Sequence, residues 1–250
     1  SGAPVVRTFD TSVRTQEAGA AIGGSTTSRT LVSSGRCVPG HQVLVVDPDR
    51  QTVVDDGVVG EIWLYGPSVA AGYWRATSAT EATFHATLAD GDGARHLRTG
   101  DLGLLQGGEL FVTGRSKDLI IVAGSNHYPQ DLEGTVERCH PSLRPGCGVA
   151  CTVTVDGEQR IVIAYEVLGA PAPSQAEQIV AAVREAVAAD HDLQVHDVIL
   201  LRRGGIPKTS SGKLQRSACG EMFLAGNLNS VHTWGIAAAA DPADGAAHAD

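Results

Sequence analysis

Lysine is nearly missing from this chain of 250 residues. Only three of its nineteen Lys and Arg residues are lysines, namely Lys117, Lys208 and Lys213. Two of them stand in GGIPKTSSGKLQR (204–216), among Gly, Ser and Thr. An ammonium is a compact point charge, which suits a phosphoryl or carboxylate group gaining negative charge better than a planar guanidinium does. The loop is therefore a candidate catalytic segment, and the alternative is an exposed loop that leads into a helix with its lysines solvated.

Other absences exclude whole classes of protein. The chain lacks a basic surplus, since its net charge is −9 and its pI about 5.4. This argues against a general nucleic-acid or anionic-membrane surface. No apolar run approaches the roughly 20 residues of a membrane span, and SGAPVVRTFD does not resemble a secretory signal. We expect a cytoplasmic protein that binds no nucleic acid and has no transmembrane segment.

The cysteines form no recognisable framework. There are five of them, at irregular spacing and without a CxxC pair, which predicts reduced thiols rather than disulfides. Cysteine and histidine are zinc ligands, and four such residues lie close together in the sequence, at Cys139, His140, Cys147 and Cys151. Their spacing fits buried thiols on an apolar strand better than a zinc site. We therefore expect no metal site within this set.

The region up to about residue 115 is predicted to be mostly β. Segments such as HQVLVVDPDR, GEIWLYG, ARHLRTGDLG and GELFVTGR have the composition of short strands separated by Gly-rich turns. We expect a small barrel or twisted sheet here, preceded by an irregular segment over 1–36. In that segment GGSTTSRT (23–30) lacks the lysine and second glycine of a phosphate loop and indicates a surface loop.

After GRSKD the pattern alternates between helices and strands. PQDLEGTVERCH starts with Pro129 and predicts a helix. SQAEQIVAAVREAVAADH predicts another, with a capping box formed by Ser174 and Glu177. Its apolar stripe consists of Ile179, Val180, Val183 and Val187. A last helix is expected from about 213 to Gly226, and the tail 236–250 is expected to be a linker or disordered.

Three stretches, in this order, closely resemble the carboxy-terminal motifs of the adenylate-forming superfamily. They are LRTGDLG (97–103), GRSKDLIIVAGSNHYPQDLE (114–133) and GIPKTSSGKLQR (205–216), and VGEIWLYGPSVAAGYW (59–74) matches the strand region before them. The superfamily includes acyl-CoA synthetases, luciferases and nonribosomal-peptide adenylation domains. The resemblance, over about residues 31 to 235, implies an α+β fold. A β-barrel-like closing subdomain (1–116) would be followed by a mobile α/β domain (117–235).

The resemblance also implies roles for single residues. Asp101 matches the acidic residue that binds the ribose hydroxyls of ATP, and Arg115 matches the arginine that joins it. Lys117 stands where the family has the hinge between its large and small domains. Lys213 matches the lysine that contacts the carboxylate and the α-phosphate during adenylation.

The loop that serves the second half-reaction of the family corresponds to Gly124, Asn126 and His127. His127 has two interpretations, as a group that assists thiol deprotonation or as a structural hydrogen-bonding residue near the helix start. The second is favoured. Ile121 stands where acyl-CoA ligases commonly have a lysine.

The II pair at 120–121 and the run GSNHYPQDLE resemble the fatty acyl-AMP ligases in particular. That resemblance implies ATP and Mg²⁺ as cofactors, an acyl adenylate (acyl-AMP) as intermediate, and transfer of a fatty acid to an acyl carrier protein. The low-complexity tail hints at a polyketide-synthase type of polypeptide. An acyl-CoA ligase and a non-catalytic module that docks a carrier protein remain as alternatives.

Two motifs of the family are missing from the chain. It has neither an SGTTGxPK phosphate loop nor the aromatic-Gly-x-x-Glu motif for adenine and magnesium, which the family carries earlier in its sequence. The chain resembles about the last two fifths of such an enzyme, so we expect it to be inactive alone. The basic residues near the catalytic loop (Arg202, Arg203, Lys208 and Arg216) suggest a docking surface for an acidic carrier protein.

Overall fold

The computed structural model describes residues 3–10 and 28–235. The chain divides into two compact units, Ser1–Lys117 and Asp118–Asp250. Among the described residues, no helix is long and apolar enough to cross a membrane. The mixture of several sheets and helices agrees with the expected α+β class. The segments 11–27 and 236–250, which include most of the expected surface loop and all of the expected tail, lie outside the described residues.

The first unit is mainly β. In chain order its elements are β1 (Val6–Asp10), β2 (Ser28–Val32), β3 (Gln42–Asp47), β4 (Thr52–Val53), β5 (Gly60–Tyr65), α1 (Thr77–Phe84), β6 (Leu97–Gln106) and β7 (Glu109–Arg115). Five strands form one antiparallel sheet in the order β4-β3-β5-β6-β7, and β1 pairs with β2. Buried side chains of this unit include Val46, Trp63, Leu104 and Phe111.

Of the two alternatives expected for this unit, a barrel and a twisted sheet, the barrel is wrong, and the expectation of an irregular segment over 1–36 is wrong as well. In the described residues the five-stranded sheet is open, with β4 and β7 as its end strands, so it is not a barrel. A barrel needs its first and last strands to pair, and β4 is only two residues long. The segment 1–36 is not wholly irregular either, because β1 and β2 form an antiparallel pair across it.

The second unit combines a sheet with helices. Its elements are β8 (Ile120–Val122), β9 (Ser125–His127), α2 (Pro129–Cys139), β10 (Leu143–Val155), β11 (Glu158–Val167), α3 (Pro173–His191), β12 (Asp197–Leu201), α4 (Arg216–Leu224) and β13 (Ser230–Trp234). The sheet order is β10-β11-β12-β13, and β8 and β9 form a separate hairpin. β11 and β12 are parallel because α3 provides the crossover between them.

The sheet of this unit is buried on both faces. One apolar cluster includes Leu132 and Val136 of α2 together with the stripe of α3. The other includes Cys151 of β10 and Cys219 of α4. The predicted stripe of Ile179, Val180, Val183 and Val187 is confirmed, since all four side chains are buried. Burial of each such side chain stabilises the fold by about 1.5–3 kcal/mol.

Two predicted helix starts are wrong. The N-cap of α3 is Ala172, without a side-chain capping bond, and Pro173 opens the helix, so Ser174 and Glu177 form no capping box there. A proline in the first turn needs no donor and has a suitable φ, which makes a side-chain cap unnecessary. The last helix starts at Arg216 instead of about 213, because the preceding residues form a hairpin with a bridge between Lys208 and Leu214.

Candidate active site

Asp101 and Arg115 are brought together at one end of the first unit's sheet. They are direct partners in the ladder between β6 and β7. Arg115 Nε donates to Asp101 Oδ1 over 2.9 Å, which forms an ion pair. The Asp101 side chain is 35% exposed, so its carboxylate stays accessible. The pair therefore presents one acceptor group and one donor group on adjacent strands.

Lys117 is the last residue of the first unit and lies in a 3₁₀ helix, Ser116–Asp118. Its side chain is exposed. The preceding residue is fixed to the turn before Asp101, since Ser116 Oγ donates to the carbonyl of Gly100 over 3.1 Å. The predicted hinge thus coincides with the boundary between the two compact units, and its role as a hinge stays a prediction.

The hairpin of β8 and β9 carries Gly124, Asn126 and His127. Its two-residue turn has positive φ at both positions, 49° at Ala123 and 78° at Gly124, as a type I′ turn requires. Asn126 pairs with Ile121 across the ladder, and both side chains are exposed, Ile121 by 54%. This face of the hairpin therefore shows one amide and one aliphatic side chain, and no cation from these two positions.

His127 lies on the other face of the hairpin, since successive side chains of a strand alternate. It is half-buried next to the end of α3. Burial lowers its pKa, and the neighbouring Asp192 partly offsets this effect. His191 has its pKa lowered by the same cause, and its Nε2 lies 2.9 Å from Thr135 Oγ1. This placement favours the structural interpretation of His127 over a role at the exposed face beside Asn126.

Lys213 stands on a tight hairpin of the second unit. Thr209 and Lys213 are joined twice: Thr209 N–H donates to the Lys213 carbonyl over 2.8 Å, and Lys213 N–H donates to Thr209 Oγ1 over 3.0 Å. Gly212 closes the turn with a φ of 83°. The Lys213 side chain is exposed, and among the described residues none forms an ion pair with its ammonium. A rigid loop therefore carries a cation without a fixed partner.

Comparison with known proteins shows which families the two parts of the chain match. Residues 117–233 match the family profile "Disco-interacting protein 2-like, AMP domain", and residues 15–74 match "AMP-binding enzyme". The medium-chain-fatty-acid–[acyl-carrier-protein] ligase JamA of Moorena producens is 48% identical over 202 residues, which are 80% of this chain and 34% of that protein. A 4-hydroxyphenylalkanoate adenylyltransferase of Mycobacterium marinum is 42% identical over 191 residues, 73% of this chain and 30% of that protein.

Among solved structures, one from a study of fatty acyl-adenylate ligases of E. coli and L. pneumophila covers 89% of this chain and 38% of its own, with a TM-score of 0.71 and 29% identity. The chain belongs to the adenylate-forming fatty acyl-AMP ligase family. It spans about a third of the length of the curated relatives it matches.

Two residues around the adenylate-forming motifs were not predicted from the sequence. Glu61 of β5 is buried and accepts a hydrogen bond from the backbone N–H of Gly100, directly before Asp101. Glu133 of α2 binds Arg216 through two hydrogen bonds of 2.8 Å. Glu61 had a signal that could have revealed it, since it is the one charged residue in the otherwise apolar strand GEIWLY.

The second rare lysine of the loop is anchored. Lys208 Nζ donates to the sulfur of buried Cys147 over 3.4 Å. Arg216 is also committed, through Glu133 and a contact of 3.3 Å to Asp118, and its side chain is only 20% exposed. The donors of Arg216 already serve the unit itself, which argues against a docking role for this residue, whereas Lys208 is exposed and its docking role stays a prediction. Arg202 and Arg203 are exposed, and for them docking stays a prediction.

Burial dominates the chemistry of three thiols in the second unit. It raises the pKa of Cys151 to about 12 and those of Cys139 and Cys219 to about 11. A thiol with such a pKa is protonated at neutral pH and is neither a nucleophile nor a good metal ligand. Within residues 3–10 and 28–235, no group of three or more His, Cys, Asp or Glu side chains is arranged to hold a metal ion.

Proposed function

We propose that this chain is the carboxy-terminal part of a fatty acyl-AMP ligase. The whole enzyme activates a fatty acid with ATP as an acyl adenylate and passes the acyl group to the phosphopantetheine thiol of an acyl carrier protein. The observation that carries the proposal is the pairing of Asp101 with Arg115 over 2.9 Å, in the family motif that faces the nucleotide ribose. The likeness to JamA, named for transfer to an acyl carrier protein, supports the choice of acceptor.

In the first half-reaction, Asp101 accepts hydrogen bonds from the ribose hydroxyls. Its second oxygen, Oδ2, is not used by Arg115, so the carboxylate has room for such donors. Lys213 places its ammonium where the acyl carboxylate attacks the α-phosphate and negative charge accumulates. ATP would supply the adenylyl group, and Mg²⁺ would neutralise its phosphates. Because this chain has no phosphate loop, other parts of the whole protein hold the triphosphate and Mg²⁺.

In the second half-reaction, Gly124 and Asn126 of the β8–β9 hairpin line the path of the thiol. The exposed Ile121 beside Asn126 offers no charge to the phosphates of coenzyme A. The acceptor is therefore a carrier protein, including a carrier domain of a polyketide synthase, rather than free coenzyme A. A cytoplasmic location fits the irregular set of unpaired cysteines.

The test uses the whole enzyme and two acceptors. Pyrophosphate exchange should depend on a fatty acid, and acyl transfer should be much faster to a phosphopantetheinylated carrier protein than to coenzyme A. Absence of exchange with every chain length tested would overturn the ligase assignment in favour of a non-catalytic docking module. Equal rates of acyl-carrier and acyl-CoA formation would overturn the choice of acceptor.

A further inference from the structure

The ladder between β5 and β6 contains a bulge that ends with Asp101. Glu61 pairs with Leu102, and Trp63 pairs with Arg98, so one residue of β5 lies opposite three residues of β6. Those three are Thr99, Gly100 and Asp101. Bulges of this kind re-aim a side chain, and they occur often next to active sites. Gly100 at its centre has a φ of 70°, a conformation that glycine adopts at little cost.

A bulge removes backbone groups from the ladder, and buried backbone groups need other partners. Three side chains supply them here, one of which is Ser116, whose Oγ donates to the carbonyl of Gly100 over 3.1 Å. Gly100 N–H donates to Glu61 Oε1 over 3.2 Å. Thr99 Oγ1 accepts from Asp101 N–H over 3.0 Å and donates to the carbonyl of Ile62 over 2.7 Å. The conformation of this segment is therefore held by the side chains of Glu61, Thr99 and Ser116.

Glu61 is itself held from the opposite side. Its side chain is buried, and its residue is only 4% exposed. Oε2 accepts from Arg98 Nε over 2.9 Å and from Trp63 Nε1 over 3.1 Å, and Arg98 Nη2 lies 2.7 Å away. One oxygen thus serves the ion pair while the other serves the bulge. A buried ion pair by itself is weak grounds for stability, because desolvation offsets much of the attraction.

We infer that Glu61 is a positioning residue for the nucleotide. It fixes the Thr99–Asp101 bulge through Gly100, and thereby aims the Asp101 carboxylate at the ribose hydroxyls. The inference rests on the ribose-binding role proposed for Asp101. Glu61 itself does not contact the nucleotide, so its loss changes the orientation of Asp101 and leaves the phosphate contacts of the whole enzyme unchanged.

The variant that tests this is Glu61→Gln in the whole enzyme. Glutamine keeps the size of the side chain, but it has one acceptor oxygen, which Arg98 takes, and its amide group then faces the Gly100 N–H. The readout is discrimination between ATP and 3′-deoxy-ATP, measured as the ratio of kcat/KM in pyrophosphate exchange. We expect this ratio to fall about tenfold, as for loss of a hydrogen bond to a charged group, mainly through KM for ATP.

Three further variants separate the explanations. Asp101→Ala should abolish the discrimination, and Glu61→Gln should add nothing in that background. Thr99→Val removes the second support of the bulge with the ion pair intact, and should reduce discrimination too. Glu109→Gln is the matched control, since Glu109 pairs with Arg36 and Ser33 at the other end of β7. It should leave discrimination unchanged whatever it does to thermal stability.

If Asp101→Ala keeps full discrimination, the proposed ribose contact is wrong. If Asp101→Ala loses discrimination while Glu61→Gln keeps it, the ribose contact stands and the positioning role of Glu61 is overturned. Should Glu61→Gln fail to fold, Thr99→Val decides, because unchanged discrimination in that variant would show that the bulge does not aim Asp101.

Discussion

Arg216 and Glu133 form a two-point ion pair in which Nε to Oε1 and Nη2 to Oε2 both measure 2.8 Å. The pair connects two motifs of the second unit, since Glu133 belongs to α2 and Arg216 begins α4. Glu133 Oε1 also accepts the backbone N–H of Ala150 in β10, and Arg216 Nη1 reaches Asp118. The helix start that follows Lys213 is thus tied to α2, to β10 and to the first residue of the unit.

Arg216→Lys should lower the stability of the second unit. A lysine delivers one ammonium where a planar fork now makes three contacts, and it leaves part of the largely buried Glu133 carboxylate without a donor. We expect a loss of about 1–3 kcal/mol in the free energy of unfolding, measured by urea denaturation of the whole protein. Arg202→Lys, at an exposed position, is the control. Equal unfolding midpoints for the two variants would contradict the structural role of the pair.

Lys213→Ala should abolish the first half-reaction selectively. Loss of a preorganised charge stabiliser costs on the order of 3–4 kcal/mol, a factor of hundreds to about a thousand in rate. The measurement sets pyrophosphate exchange beside single-turnover transfer from presynthesised acyl adenylate, which should survive. Lys213→Arg should recover little, because a planar guanidinium does not replace a point charge. Normal exchange in Lys213→Ala would reduce the loop to a solvated turn.

Lys117→Pro tests the hinge at the boundary between the two units. Proline fixes φ near about −65°, so a residue that must adopt two backbone conformations is held in one. In the whole enzyme one half-reaction should continue while the other stops. Lys117→Ala, which keeps the backbone free, should retain both. If both half-reactions survive in Lys117→Pro, the hinge lies elsewhere.

Reversing the charge of Arg202 and Arg203 tests the remaining part of the docking surface. Both are exposed, whereas Arg216 is held by Glu133 and is only 20% exposed. The Arg202→Glu, Arg203→Glu variant should raise KM for an acidic carrier protein and weaken its salt dependence, with pyrophosphate exchange unchanged. The control is Arg75→Glu, which reverses the charge of an exposed arginine in the first unit. Arg160 is unsuitable as a control position because it is only partly exposed. Transfer kinetics equal to those of the wild type would exclude this surface.

Thiol reactivity should follow burial. Cys37 is exposed, whereas Cys147, Cys151 and Cys219 are buried and Cys139 is partly buried. Since burial raises the pKa of Cys139, Cys151 and Cys219 to 11 or above, their thiolate fraction at pH 8 is about one part in a thousand or less. One thiol should react quickly with Ellman's reagent in the native chain, and Cys37→Ser should remove that phase. Several fast thiols in Cys37→Ser would contradict the packing.

The sequence by itself determined the local features of this protein. The stripe from Ile179 to Val187 follows from a period of 3.6 residues, and the candidate residues Asp101, Arg115 and Lys213 are implied by the resemblance of their motifs to the adenylate-forming superfamily. Such features depend on residues only a few positions apart, so a short stretch of sequence is enough to predict them.

Only the tertiary structure decided which distant groups meet. Whether the sheet closes into a barrel depends on pairing between its end strands, β4 and β7. In the described part of the chain they do not pair, and β4 is only two residues long. The bulge at Thr99–Asp101 arises from the register between β5 and β6, and Glu61, which supports it, lies 39 residues before Gly100 in the chain. The sequence predicts Arg216 to be a surface cation, whereas in the structure it pairs with Glu133, which lies 83 residues earlier in the chain. The partner of a buried charge depends on which groups are close in space and on how far both groups are removed from water. No local pattern in the sequence specifies this proximity or this burial.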